Sequence, residues 1–212
     1  MKLKILAATG IGMVLGLVLP AQATIITIGI TGIVDYVEDL GEGDGYLGGL
    51  INVGDSITGY YTYDTDTPDT NPLSYGGDYE YYSSPFGIFL TIESFNFRTD
   101  LNNVNFLIEI TNDYPPNDDY LLRSVSNLPL SNGSPVEAIS WWLYDPNGSA
   151  ISSTELLATA PILSDWQINL LRIETDRAYR IDGRVTEVEV IPEPMSLLLF
   201  TFGGLALTKR RR

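Results

Sequence analysis

The side chains of this sequence that can do chemistry are carboxylates. The chain has no histidine and no cysteine, and residues 24–191 have no lysine. This segment therefore cannot form serine–histidine or cysteine–histidine nucleophiles, serine–lysine pairs, Schiff bases, disulfides, or metal sites built on imidazole or thiolate. What remains is acid–base chemistry by paired carboxylates and the binding of hard cations such as calcium.

Three aspartates, Asp64, Asp66 and Asp69, follow a tyrosine-rich segment and form a candidate calcium site. Calcium takes about six to eight oxygen ligands, and closely spaced aspartates in a turn supply several, although the glycine and distal glutamate of an EF-hand are missing here. The alternative is an acidic turn whose aspartates accept hydrogen bonds from backbone amides. Residues 75–79 and 112–120 have the same mixture of acids and tyrosines and could line the same end of a sandwich.

Trp141 and Trp142 are the candidate ligand-binding aromatics. They lie in a predicted strand, where consecutive side chains point to opposite faces. One indole is therefore expected in the core, and the other can stack on a sugar ring or pack under a loop. A glycosidase would need two carboxylates about 5 to 10 Å apart, and nothing in the sequence singles out such a pair. No catalytic residue is assigned, and the chain is not expected to be an enzyme.

The charge of the central segment limits its partners. All of the 27 acidic residues except Glu193 lie in residues 24–191, against six arginines. A strongly negative surface repels nucleic acid and anionic lipid and favours divalent cations. We therefore expect no nucleic-acid partner.

The central segment is predicted to be all-β. Short alternating runs rich in tyrosine, threonine, isoleucine and valine are separated by glycine, asparagine, aspartate and proline, the pattern of an antiparallel β-sandwich or jelly roll. Residues 38–53 and 65–84 lack this pattern and are predicted to be long surface loops. The predicted strands are 24–30, 33–37, 56–63, 87–97, 104–112, 121–125, 137–144, 166–175, 178–182 and 184–190.

The first 23 residues have the pattern of a secretory signal peptide. Lys2 and Lys4 precede an uncharged apolar run, and Ala21 and Ala23 form a small-x-small cleavage site. We predict cleavage after Ala23 by signal peptidase, so that an ectodomain of residues 24–191 is exported.

The last 21 residues combine a proline-bounded tripeptide, an apolar run and a basic end. Pro192, Glu193 and Pro194 precede an apolar run over residues 195–208. This run is short for a bilayer that usually needs about 20 apolar residues, so we predict a short transmembrane helix. The cations that would keep its end in the cytoplasm are Lys209, Arg210, Arg211 and Arg212.

This ending closely resembles the PEP-CTERM sorting signal, which is also catalogued as an ice-binding protein C-terminal motif. The resemblance covers residues 192–212 and implies recognition by an exosortase, which would cleave near Pro192–Glu193–Pro194 and release or re-attach the ectodomain at the cell surface. The segment 62–69 also resembles part of an uncharacterised family of PEP-CTERM β domains, and this resemblance implies no activity.

These observations predict an exported protein, first anchored to the membrane through its C-terminus and then located at the cell surface or outside the cell. Its expected role is structural or adhesive, within an exopolysaccharide layer. The alternatives are a calcium-dependent carbohydrate-binding module and a carboxylate-based glycoside hydrolase. No cofactor is expected, apart from calcium in the first alternative.

Overall fold

Strands form where β-branched and aromatic residues alternate with polar ones, because such side chains fit a pleated surface that is buried on one face. The computed structural model describes residues 25–41, 45–114, 116–175 and 178–192. These residues form ten strands and one 3-10 turn, Leu163–Asp165, and include no α-helix. The strands are β1 (Ile25–Asp39), β2 (Ser56–Asp64), β3 (Gly76–Tyr81), β4 (Gly87–Ile92), β5 (Phe95–Arg98), β6 (Phe106–Thr111), β7 (Asp118–Ser124), β8 (Ala138–Asp145), β9 (Ile168–Thr175) and β10 (Tyr179–Ile191).

All ten described strands belong to one antiparallel sheet. Its order is β3-β6-β7-β8-β9-β10-β1-β2-β4-β5. The two longest strands, β1 and β10, pair from Thr27 and Ile191 to Asp39 and Tyr179, with irregularities in register after Thr31 and Val34. Such irregularities bend a strand and increase its twist. The all-β, antiparallel prediction is confirmed.

The sheet curls until distant strands touch across its inner face. The ring of Tyr61 in β2 lies 6.0 Å from the indole of Trp141 in β8. Its hydroxyl is 3.4 Å from that of Tyr120 in β7. Near the sheet edge, the hydroxyl of Tyr81 donates to the carbonyl of Asp64 at 3.0 Å. The inward-facing side chains of both parts of the sheet therefore form one hydrophobic core.

Buried aspartates hold the loops at one end of the sheet. Asp118 is fully buried, and Asp145 is paired with it in register. The Asp145 carboxylate accepts the backbone N–H groups of Asn147 at 3.0 Å and Ser149 at 2.8 Å. These hydrogen bonds hold the pKa of Asp145 below its usual value. The Asp145 carboxylate thus satisfies loop amides that have no strand partner.

Most of the predicted sorting elements lie outside the described residues. These are the signal peptide with Ala21 and Ala23, together with Glu193, Pro194, the predicted membrane helix, Lys209, Arg210, Arg211 and Arg212. Pro192 is described, and it is exposed directly after β10. In the described part of the chain, no helix is long and apolar enough to cross a membrane.

Candidate functional site

The acid- and tyrosine-rich segments meet at the β3 edge of the sheet. The rings of Tyr75 and Tyr114 stack with centroids 4.0 Å apart and planes 7° apart. The carboxylate of Asp69 accepts the backbone N–H of Asp78 at 2.9 Å. Burial, together with the charge of Asp69, raises the pKa of Tyr79 to about 12. These contacts bring the three segments together at this edge of the sheet.

The carboxylates of the candidate calcium loop make local hydrogen bonds. Asp64 accepts the backbone N–H of Asp66 at 3.0 Å, and Asp69 accepts that of Asn71 at 2.8 Å. This is the amide-capping role that aspartate has in turns. Among the described residues, no three histidine, cysteine, aspartate or glutamate side chains are placed together to hold a metal ion. Calcium binding by this loop stays a prediction.

The two neighbouring tryptophans lie on opposite faces of β8, as expected. Trp141 is fully buried, and its indole N–H donates to the side-chain oxygen of Asn169 at 2.9 Å. Trp142 is half-buried on the outer face, where it donates to a carboxylate oxygen of Asp119 at 2.7 Å. Its ring is tilted against Tyr144 with centroids 5.6 Å apart. Of the two candidate ligand residues, only Trp142 reaches the surface.

A second pair of aromatic rings lies on the outer face of β2 and β4. Because Tyr61 and Tyr63 point into the core, Tyr60 points outwards and is 43% exposed. Tyr60 is directly opposite Phe89 in the β2–β4 register. The two rings stack with centroids 5.5 Å apart and planes 25° apart. This stacking leaves an aromatic surface open to solvent on a folded sheet face.

These rings form one wall of a cleft of about 320 Å³. The charged and amide side chains of the cleft are Arg98 at the end of β5 and Asp100 and Asn102 in the loop after it. The Asp100 carboxylate accepts the backbone N–H of Asn102 at 2.9 Å, and its own backbone N–H donates to the carbonyl of Ser126 at 2.8 Å. The loop that carries these side chains is therefore fixed to the loop that follows β7.

The cleft is equipped for recognition of a ligand that has both apolar and polar surfaces. The rings offer flat apolar faces, while a guanidinium, a carboxylate and an amide offer directed hydrogen bonds. Among the described residues that line it, Asp100 is the one acidic residue. Glycoside hydrolysis in its usual form requires two carboxylates, so the described lining supplies binding groups and not that catalytic pair.

The sequence alone did not identify Tyr60, Phe89 or the polar residues beside them. A local signal existed for Tyr60, because the two-residue period that buries Tyr61 and Tyr63 sends Tyr60 outwards. Its partnership with Phe89 depends on the register between β2 and β4, which is a property of the folded sheet.

Comparison with known proteins adds no family assignment to this geometry. The chain matches no protein-family model, no curated protein and no solved structure.

Proposed function

We propose that residues 24–191 form an exported, non-enzymatic domain that binds neutral polysaccharide and has a structural or adhesive role in the exopolysaccharide layer at the cell surface. The observation that carries the proposal is the exposed Tyr60–Phe89 stack beside Arg98, Asp100 and Asn102. In this proposal the curled sheet serves as a sandwich-like or jelly-roll-like ectodomain.

The chemistry of a sugar ring matches this cleft. A pyranose ring has a face of C–H groups, which packs on an aromatic ring, and a rim of hydroxyl groups, which exchange hydrogen bonds with charged and amide side chains. Each recognition group of the cleft has a complement on such a ligand. The negative charge of residues 24–191 favours a neutral polysaccharide over an anionic one.

The export and sorting part of the proposal is supported by the two ends of the sequence. Signal peptidase is the partner for Ala21 and Ala23, and an exosortase is the partner for Pro192, Glu193 and Pro194. Strand β10 ends at Ile191, directly before the tripeptide. The recognition motif would thus begin where the sheet ends, close to a membrane held by the C-terminal helix.

Mass spectrometry of the protein purified from its native cells tests this sorting. The expected mature chain begins at Thr24 and lacks Lys209, Arg210, Arg211 and Arg212, since both processing sites would have been cut. A double variant, Pro192→Ala/Glu193→Ala, is expected to keep its C-terminal arginines. A wild-type protein that still carries these arginines contradicts exosortase processing, whatever the outcome of sugar-binding experiments.

Calorimetric titration with neutral linear oligosaccharides tests the binding function. We expect Tyr60→Ala to weaken binding about tenfold or more, because truncation of a central aromatic contact costs at least about 1.4 kcal/mol. Tyr36→Ala is the matched control, since Tyr36 is 44% exposed and lies against Arg180, outside the residues that line the cleft. Cellotetraose, laminaritetraose and xylotetraose are the probes.

The outcomes separate the proposal from its alternatives. Failure of all three sugars to bind, or equal affinities for Tyr60→Ala and Tyr36→Ala, contradicts the assigned cleft. Loss of binding in the presence of a calcium chelator would support the calcium-dependent alternative, with Asp64, Asp66 and Asp69 as the residues to substitute next. Release of shorter sugars during the titration would instead support the hydrolase alternative.

A further inference from the structure

The aromatic pair is part of a row of residues that crosses five strands. Residues directly opposite each other in antiparallel strands share one face of the sheet. Four strand pairs, β10–β1, β1–β2, β2–β4 and β4–β5, are in register along this row. Neighbouring strands lie about 4.8 Å apart, so four spacings give the row a length of about 19 Å. In order across the sheet, its members are Glu189, Gly29, Tyr60, Phe89 and Arg98.

A second cavity lies on the same row, on the other side of Tyr60 from the cleft. It measures about 250 Å³ and is bounded by β10, β1 and β2. Gly29 leaves it open, because a Cβ atom at this position would already come within 3.3 Å of Cγ of Glu189 and 3.4 Å of the Ile191 side chain. The row therefore has an open cavity at each end and the stacked rings between them.

A parallel row of threonine hydroxyl groups lies beside the row that contains Tyr60 and Phe89. Thr31 in β1 is opposite Thr58 in β2, and Thr58 is opposite Thr91 in β4. Thr58 is exposed, and Thr31 and Thr91 are partly exposed. A hydroxyl both donates and accepts hydrogen bonds, so this neighbouring row offers repeated contacts to a ligand with many hydroxyl groups.

The charges along the two rows are unevenly distributed. Glu187 and Glu189 lie at the β10 end, while Arg98 at the β5 end has Asp100 in the same cleft. The surface thus combines three carboxylates with one guanidinium. An anionic polymer placed along the full row would meet the two glutamates, which disfavours its binding.

We infer that the ligand is a flat, neutral, β-1,4-linked polysaccharide ribbon that lies across β10, β1, β2, β4 and β5, with Tyr60 and Phe89 under its centre. This inference rests on the proposed function and adds the class of polymer and its direction across the sheet. A single terminal sugar would occupy only the cleft beside Phe89 and Arg98. A ribbon would lie in that cleft, over the two rings and in the second cavity beside Gly29.

Calorimetric titration with cellobiose and cellohexaose tests the inference. The wild type is expected to bind cellohexaose at least tenfold more tightly than cellobiose, since only the longer sugar can span both cavities. Gly29→Val fills the second cavity and is expected to remove this tenfold preference, because it weakens cellohexaose more than cellobiose. Tyr60→Ala is expected to weaken both sugars, and hexagalacturonate is expected to bind at least tenfold more weakly than cellohexaose.

A second variant protects the test against misfolding of Gly29→Val. Thr58→Val keeps the shape of the exposed side chain and removes its hydroxyl, and it is expected to weaken cellohexaose several-fold and cellobiose less. Equal affinities of the wild type for the two sugars overturn the extended-ligand inference and leave the proposed function in place. Binding of laminaritetraose without binding of either cello-oligosaccharide also overturns the inference alone. Absence of binding to every neutral sugar overturns both.

Discussion

Replacing Trp141 with alanine is expected to lower the free energy of unfolding by about 4 kcal/mol. The indole is fully buried, with ring centroids 6.0 Å from Tyr61 and 6.4 Å from Tyr120 in edge-on contacts. Trp141 in β8 and Tyr120 in β7 belong to neighbouring strands, whereas Tyr61 in β2 lies four strands further along the sheet from β8. Truncation would leave a cavity where the curled sheet packs against itself, and the Asn169 oxygen would lose its indole donor.

Trp142→Ala is the matched control for this prediction. It removes the same side chain from the next residue of the same strand, but from the outer face, where the indole is half-buried. The expected loss is about 1 to 2 kcal/mol, from reduced burial and the hydrogen bond to Asp119. Urea denaturation followed by circular dichroism measures both variants. Equal losses would contradict the assignment of Trp141 to the core contact between distant strands.

Removing the carboxylate of Asp118 is expected to cost about 3 to 5 kcal/mol of folding free energy. The carboxylate accepts backbone N–H groups from Asp113 at 3.0 Å, Ala150 at 2.9 Å and Ile151 at 3.0 Å. Asp118 itself is fully buried. In Asp118→Ala these three amides, which come from two separate loops, would lose their charged acceptor. Because the site is buried, water could replace this acceptor only if the loops rearranged.

An exposed aspartate shows whether the effect comes from burial and amide bonding or from charge alone. Asp35 lies 3.8 Å from Arg184 with its side chain about half exposed. Such surface ion pairs contribute roughly 0 to 1 kcal/mol, so Asp35→Ala is expected to unfold at nearly the wild-type urea concentration. If Asp118→Ala matches Asp35→Ala in the same urea titration, the loop-holding role of Asp118 is wrong.

Strands with uninterrupted local alternation were predictable from the sequence. β6, β7 and β8 bury every second residue over most of their length, and the predicted segments overlap all three. β3 was wrongly placed in a loop, because Gly76, Gly77 and Asp78 are residues that strands disfavour. Its pairing with β6 creates the strand. This pairing is a tertiary effect, and no local pattern in residues 76–81 predicts it.

Strand ends were harder to predict than the strands themselves. The prediction of one strand over residues 87–97 is wrong, because Glu93 and Ser94, where the chain turns, include no glycine or asparagine to mark a turn. The chain instead reverses between β4 and β5, with Glu93 at φ 51°. Conversely, β1 and β10 were each predicted as two strands, whereas their irregularities in register bend the ladder and do not end it.

The candidate site shows the same division between local and non-local signals. Asp64, Asp66 and Asp69 are identified because they are close together in the sequence, and the carboxylates of Asp64 and Asp69 accept hydrogen bonds from backbone amides. Tyr60, Phe89 and Arg98 come from three strands and meet through register alone. A surface that runs across strands has no contiguous sequence motif, so the row that contains these residues cannot be identified from the sequence alone.

The long pairing of β1 with β10 also has a mechanical consequence. The ladder extends from the Thr27–Ile191 pair to the Asp39–Tyr179 pair. Tension applied at Ile191 along β10, against a load held on the outer face, would stress these interstrand bonds simultaneously in shear and not one after another. In a domain pulled in this way, β10 would detach only after most of the hydrogen bonds of the ladder had broken together. The force needed to detach it would therefore be high.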